Sequence, residues 1–579
     1  MQKLNEIIKS LDGKAVSSYS KLYGRYERNG IVYHIRNVYG GQFKYAAVTI
    51  ELPCCQIFGN YAFDALDNIA LTSHIMREFS AAAHMANDAM QQSESNVQKG
   101  FFLVYQFGTR VLPNSAVQWN GDSMALSLTI KLPYNNSSYS GGSVMAQTAQ
   151  AHRESLCNRK KGVISAKALK ILLTKNLPQL VENFVSDFDI DALINAVALW
   201  HNQEYIRWFL KNNGYVSFVA NGASFPRKGK SDYKDTKGAV PFIAPESMKI
   251  NITLPNGDTA CGMGIPKGIT LITGDAYHGK STILEALKEG VYNHVLGDGR
   301  EYVITDESAM TIQAEDGRSI KNTDISFFLQ KLPIESILPK NFSTDNASGS
   351  TSQAAAVTEA FETGCRLMLF DEDRSANNFM YKDEKMRSVI KNASTVPFLD
   401  NARMFYQKYG ISSVIVVGAS GEYFRIADKV ILVENFVVSE YNDYSKEYTN
   451  GVPNFSPMPR RVDFTNLGRI CLTRNIEIKD DSTIKIGNET VDVAECVPHA
   501  TRGQLDFICS FIYYLTVIEQ RKSGNIKESV LSLYKNLDSC SLEMIHQTGF
   551  RGASGVIEYV RPEDILSILY RLKSIAFKS

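Results

Sequence analysis

The residues best suited to chemistry lie in one stretch, Gly274-Asp275-Ala276-Tyr277-His278-Gly279-Lys280-Ser281-Thr282, which fits the pattern G-x-x-x-x-G-K-[ST]. Glycines let a backbone wrap a phosphate without steric cost, and Lys280 offers a point charge to β and γ oxygens. Ser281 offers a hydroxyl to Mg²⁺, and a helix N-terminus adds oriented N–H groups. The apolar run at 269–273 predicts a strand before the loop, and 283–288 predicts a helix after it, the context in which this pattern holds nucleotide phosphates. All nine residues are therefore expected to line an ATP site.

Such a site needs a second metal ligand and a group to activate water. Leu367-Met368-Leu369-Phe370 reads as a buried strand that delivers Asp371 and Glu372 at its C-terminal end. Asp371 is expected to join Ser281 around Mg²⁺, and Glu372 to orient or deprotonate the attacking water.

Further motifs resemble ABC ATPases. Ala347-Ser348-Gly349-Ser350-Thr351 precedes that acidic strand, as does the Ser-Gly signature of ABC proteins. In Asp371-Glu372-Asp373-Arg374-Ser375-Ala376-Asn377-Asn378 the Ser-Ala pair matches the family, and Asn378 stands where an aspartate is usual. Val414-Ile415-Val416-Val417-Gly418-Ala419-Ser420 resembles the strand that ends in the switch histidine, with Ala419 at the histidine position.

PRKGKSD (226–232), GMGIPKG (262–268), YHGKST (277–282), STDNASGSTSQAA (343–355) and GEYFRIADKVI (421–431) resemble a narrower group. It comprises the soluble three-domain proteins described as predicted ATPases of the ABC class, among them a trypanosome mitochondrial RNA-processing protein. The likeness is dense over 204–435. The loop departs from the family's GGGYHGKST at Asp275 and Ala276.

The resemblance implies an α/β fold: an ABC-type P-loop NTPase core, mainly a parallel sheet with an antiparallel β subdomain, flanked by α+β N-terminal and C-terminal domains. The expected division is 1–235, 236–440 and 441–579. It also implies ATP sandwiched in a homodimer, with Lys280 and Asp371 from one protomer and Ser348 and Gly349 from the other. Glu372, Lys280 and Ser348 are then the catalytic set. Ser420 or Glu422 would take the γ-phosphate side in place of the missing histidine, and a Q-loop would lie at 324–326 or at Gln330. Asp316 and Arg318 are expected on a turn, in a structural ion pair or at the dimer interface.

The elements that must position these groups are legible in texture. Short apolar runs at 269–272, 367–370, 414–417 and 430–433, separated by helical stretches, read as central strands of a parallel sheet. The stretch 248–254 alternates like a half-buried strand. The first 235 residues mix helical and strand-like segments and hold polar stretches at 135–143 and 228–237. After about 440 basic residues gather at Arg460, Arg461, Arg469 and Arg474, followed by helical stretches near 503–522 and 562–573.

The chain has 579 residues, past the roughly 250–300 at which one core stops growing. Its formal charge of +1 excludes a protein drawn to polyanions by its overall field, so any RNA surface must be local. The strongest local feature is Arg227, Lys228 and Lys230, the candidate contact for single-stranded RNA; Arg460-Arg461 and 158–161 are secondary. The longest apolar run, 507–518, is shorter than the roughly 20 residues that cross a bilayer. Nine scattered cysteines without a metal-ligand spacing predict reduced thiols and a cytoplasmic protein. Two functions follow: a Mg-ATP hydrolase coupled to motion of its flanking domains and acting on RNA, or a nucleotide-gated RNA clamp with little turnover. A transporter subunit fits poorly with large domains on both flanks.

Overall fold

A computed structural model describes residues 1–40, 44–91, 100–134, 163–227, 239–330, 338–390, 394–446, 454–457, 460–473, 475–518, 523–540, 542–546 and 556–578. They cluster into two units. One holds Met1–Phe107, Pro113–Asn195 and Ala553–Ile557; the other holds Gly108–Leu112, Ala196–Gly552 and Glu558–Ser579.

In the first unit, β1 (Gly24–Arg28) turns into β2 (Ile31–Tyr39) at Asn29-Gly30, whose φ values of 53° and 75° suit a two-residue hairpin. Strands β3 (Tyr45–Pro53), β4 (Phe101–Leu103), β5 (Val117–Trp119) and β6 (Ser123–Lys131) complete an antiparallel sheet of order β1-β2-β3-β6-β4, with β5 also paired to β6. Ile31, Tyr33 and Ile35 alternate inward, as one buried face requires. Helix α1 (Asn68–Gln91) packs on β4 and β5.

The second unit holds the candidate site. Strands β7 (Tyr215–Ala220), β8 (Lys249–Thr253), β9 (Thr259–Pro266) and β11 (Val303–Thr305) form an antiparallel sheet of order β11-β7-β9-β8, with β10 (Ile269–Thr273) intervening in the chain. The main sheet runs β12-β13-β14-β10-β15-β16, from β12 (Met310–Ile312), β13 (Leu367–Asp371), β14 (Ser412–Val416), β15 (Lys429–Glu434) and β16 (Val437–Glu440). Its first five strands are parallel and β16 is antiparallel. Every residue of β13 and β14 is buried, which is why 367–370 and 414–416 within them read as unbroken apolar runs.

Helix α2 (Lys280–Glu289) lies in one core with Ile431, Val433 and the antiparallel sheet's Met263 and Ile265. The opposite core holds α3 (Gly349–Thr363) and α4 (Phe398–Tyr409), with Phe370 and Val430. The α/β class and the ABC-type core expected from the sequence are what the chain folds into. The C-terminal segment adds α5 (Arg502–Tyr513), started by a Thr501–Gln504 capping box, and α6 (Pro562–Arg571), which packs on α3. Buried or half-buried ion pairs tie this segment to the core: Arg460 to Glu362 at 2.6 Å, Arg374 to Glu495 at 3.0 Å, and Arg571 to Glu315.

Candidate functional site

The loop 274–282 is shaped by three residues in the left-handed region. Gly274, at φ 143°, is pressed so closely on the Val433 carbonyl that a Cβ would collide with it. Tyr277 sits at φ 64° and Gly279 at φ 101°, and a Cβ on Gly279 would lie 2.9 Å from the Phe436 ring. Helix α2 starts at Lys280, so its first N–H groups face the loop's hollow. The Lys280 ammonium donates to the Gly274 and Asp275 carbonyls, both at 2.8 Å. Ser281 is exposed, and Tyr277 is 97% exposed. The Asp275 carboxylate accepts from the Ala276 N–H at 2.7 Å. The carbonyl of His278 accepts from the Phe436 N–H at 3.3 Å, while its ring nitrogen Nδ1 is buried without a hydrogen bond. Thr282 is half-buried in the first turn of α2.

The acidic pair arrives on β13. Both Asp371 and Glu372 are 7% exposed. Burial raises the Asp371 carboxyl above its ordinary value, although the Asp373 N–H and Lys288 partly oppose it. Glu372 Oε2 accepts the N–H groups of Gly418 and Ala419 at 2.5 and 2.9 Å. A methyl placed on Gly418 would lie 3.7 Å from Lys280 Nζ and 3.9 Å from Glu372 Oε2, so lysine, acid and the end of β14 meet at one point. Ala419, where the family has a histidine, supplies a backbone donor to the acid. The Ser420 hydroxyl accepts from the Glu422 N–H at 3.2 Å and caps the turn 421–426; it makes no hydrogen bond to Lys280 or Glu372.

The residues fit a magnesium nucleotide. Helix α2 begins at the loop's end, the Lys280 ammonium lies on the Gly274 and Asp275 carbonyls, and the buried Asp371 carboxyl, raised by desolvation, would be relieved by a cation. Ser281 and Asp371 would be the two protein donors, a sparse oxygen set that suits Mg²⁺ supplemented by phosphate and water.

Ser348 is the exposed N-cap of α3 and shares a hydrogen bond with Thr351 at 2.9 Å. Among the described residues, no hydrogen bond of Ser348 or Gly349 reaches 274–282. The start of α3 is instead tied to the acidic strand of its own chain. Gln353 donates to Ser375 at 3.0 Å and accepts the Ala376 N–H at 2.9 Å. Ser375 donates to the Asp371 carbonyl at 2.7 Å, and Ser350 donates to Asn378 at 2.6 Å.

Two residues escaped the sequence reading. Ile312 pairs with Phe370 in parallel register, which puts Gln313 level with Asp371. Gln313 is buried, and its amide donates to the Glu495 carboxylate, which also holds Arg374. The signal for Gln313 is a three-residue strand, too short for periodicity to register; Glu495 carries no local signal. The Q-loop candidates lie elsewhere: Asp324 caps Ser326 at 3.0 Å, and Gln330 is exposed. Arg318 forms a buried pair with Glu359, while Asp316 is exposed beside Gly349. The Arg227 guanidinium, 9% exposed, is bound to Asp298 at 2.8 Å; Lys228, Lys230 and 158–161 lie outside the described residues. Arg460 is buried over the rings of Tyr570 and Phe577.

Two family models match the chain. The P-loop domain model of the ABC ATPases matches residues 189–464, and the N-terminal model of the ATPases of the ABC class matches residues 1–187. The chain belongs to the ABC-class ATPases. This ABC-class ATPase is 32% identical over 268 residues to MJ1628, an uncharacterised protein of Methanocaldococcus jannaschii. That match covers 44% of this chain and 58% of the relative, so the chain spans little more than half of that relative's length. Among solved structures it is similar to MJ1267, an ATP-binding cassette of an ABC transporter in its ADP conformation. The identity is 13%, the TM-score 0.24, and the coverage 39% of this chain and 89% of that one. It is also similar to cbiO1 of Clostridium perfringens, part of an ABC transporter complex, at 15% identity, a TM-score of 0.23 and coverage of 39% and 87%. No described helix of the ABC-class ATPase is long and apolar enough to cross a membrane.

Proposed function

We propose that the protein hydrolyses Mg-ATP at a homodimer interface and couples that cycle to movement of its flanking domains. The observation that carries this reading is the meeting of Lys280, Glu372 and the Gly418-Ala419 amides. A nucleophile held by Glu372 there faces a γ-phosphate whose charge Lys280 and the α2 N-terminus neutralise. Ser281 and Asp371 would hold Mg²⁺, which would supply neutralisation of the phosphate charge. The backbone donors at 418 and 419 fix the direction of the Glu372 carboxylate, the task a side chain would otherwise perform at the switch position.

Ser348 and Gly349 open a fifteen-residue helix on an exposed corner, so a second copy can bring them over the phosphates. Ser348 would then be catalytic in trans, and Ser420 a contact on the γ-phosphate side reached after its cap to Glu422 loosens. The labour divides as 1–235, 236–440 and 441–579, with β7 lent by the first segment to the core. A cytoplasmic protein acting on single-stranded RNA completes the reading; because Arg227 is held by Asp298, the contact falls to Lys228 and Lys230. The second reading, a nucleotide-gated RNA clamp with little turnover, is favoured by the two N–H groups that hold Glu372, since they occupy the Oε2 that would otherwise meet the attacking water.

Glu372→Gln tests the assembly. With ATP and Mg²⁺ this variant should sediment as a dimer, and with ADP as a monomer. A monomer in both would refute the shared site.

A further inference from the structure

A cavity of about 690 Å³ adjoins the phosphate loop on the sheet face away from α2. Leu432 lines it, and in β15 Leu432 alternates with Ile431 and Val433, which pack with α2. The inner edge is Gly274, Asp275 and Gly418, where Lys280 and Glu372 meet. The wall is aromatic: Phe424 in the turn 421–426, and Tyr441 and Tyr444 after β16.

The Tyr441 and Tyr444 rings lie 6.4 Å apart at 18°, and Phe424 meets them edge-on at 6.0 and 6.2 Å. Tyr444 is anchored by its hydroxyl, which donates to the Asp428 carbonyl at 3.1 Å. Tyr441 is 37% exposed, so it offers ring surface to a ligand. Asp443 and Ser445 are exposed and place acceptor oxygens in the lining. Arg425, also in the lining, is held by Asp400 at 2.9 Å.

We propose that this cavity takes a nucleobase bearing an exocyclic amine, stacked on the aromatic wall with the amine donated to Asp443. The volume lies in the range of small-ligand sites. Aromatic side chains stack on any base because every base has a π-face, and a carboxylate selects bases that carry an amine. The exposed Asp443 carboxylate disfavours a bare phosphate in the lining, so the group admitted is the base. The cavity opens at the γ-phosphate end of the site, an orientation that rests on the reading of 274–282 as the ATP site. The base therefore belongs to a second molecule, either a single-stranded RNA or a free nucleoside.

The test fills the phosphate loop of the full chain with Mg²⁺ and inorganic tripolyphosphate, which has no base, and titrates adenosine, uridine, a short oligoadenylate and its abasic counterpart by calorimetry. Adenosine should bind with the loop filled, and uridine, lacking the amine, more weakly. Tyr441→Ala and Asp443→Asn should each weaken adenosine about tenfold or more, with tripolyphosphate affinity held within about twofold. Asp443→Asn, at an exposed position, keeps the test readable should Tyr441→Ala misfold. Oligoadenylate binding well above both adenosine and the abasic strand identifies RNA as the source, and equal affinity identifies the nucleoside. Adenosine that fails to bind, or binds both variants as it binds the wild type, overturns the proposal. Failure of tripolyphosphate to bind would instead sink the nucleotide reading and leave the adenosine result to be read by itself.

Discussion

The Lys280 ammonium is shared by two carbonyls of its own loop, so deleting it removes a charge and a clasp together. Lys280→Ala should weaken ATP binding by about 2 kcal/mol, or roughly thirtyfold, the scale of a lost charged hydrogen bond; calorimetry at fixed Mg²⁺ measures it. Asp371 gives a prediction of opposite sign for stability. Its carboxyl is raised by burial, so the folded chain binds that proton more tightly than the unfolded chain does. The ionised group therefore costs stability at neutral pH, and the cost is relieved as pH falls through the raised value. Asp371→Asn should raise the thermal midpoint at pH 7 while abolishing Mg²⁺-dependent nucleotide binding; a lowered midpoint would show that the carboxylate is compensated in the fold. At this scale the sequence was most informative where chemistry dictates residue type, as at Lys280, Asp371 and Glu372. It was least informative where the backbone does the work. Ala419 reads as a missing histidine, and only the structure shows its N–H on the acid.

At the scale of elements, the start of α3 and the end of β13 are joined through Gln353, Ser375 and Ala376. The helix whose N-cap is Ser348 is thereby held to the acidic strand. Gln353→Ala should lower ATP turnover about tenfold or more, as expected of a positioning contact, with ATP affinity near wild type. Equal losses in affinity and turnover would mean that Gln353 only supports the fold. The tie between Glu315 and Arg571 makes a pH prediction. Burial alone would raise the Glu315 carboxyl, but Arg571 and Arg318 outweigh it and hold it below the ordinary 4.5. The pair's stabilisation is therefore complete above that range and is lost as pH falls through the depressed value. Urea midpoints should drop below about pH 4.5 in the wild type and much less in Glu315→Gln, which should itself cost about 3 kcal/mol at pH 7 because Arg571 is left buried without its partner. The central strands were legible because parallel strands buried on both faces are continuous apolar runs. β12 was not, since three residues cannot display a period, and with it Gln313 was passed over.

At the scale of the molecule, the parallel α/β sheet followed from apolar runs and loop context in 236–440, and the ABC-type core from the resemblance of its motifs to ABC ATPases. The basic residues misled more, because the sequence shows charge and not its partner. Arg227 and Arg460 read as candidate phosphate contacts, yet each is spent on a buried carboxylate, Asp298 or Glu362. The C-terminal segment reaches the core at Glu315, Glu362 and Arg374, and Arg374 lies two positions after Glu372 in the chain. The proposed hydrolysis depends on Glu372 acting on a nucleotide held by Lys280. Steady-state ATP turnover by the full chain, wild type beside Glu372→Gln, measures that most directly. Mg²⁺-dependent turnover in the wild type, reduced about a hundredfold or more in the variant while ATP still binds, is the predicted result. Turnover that survives the substitution would contradict the account.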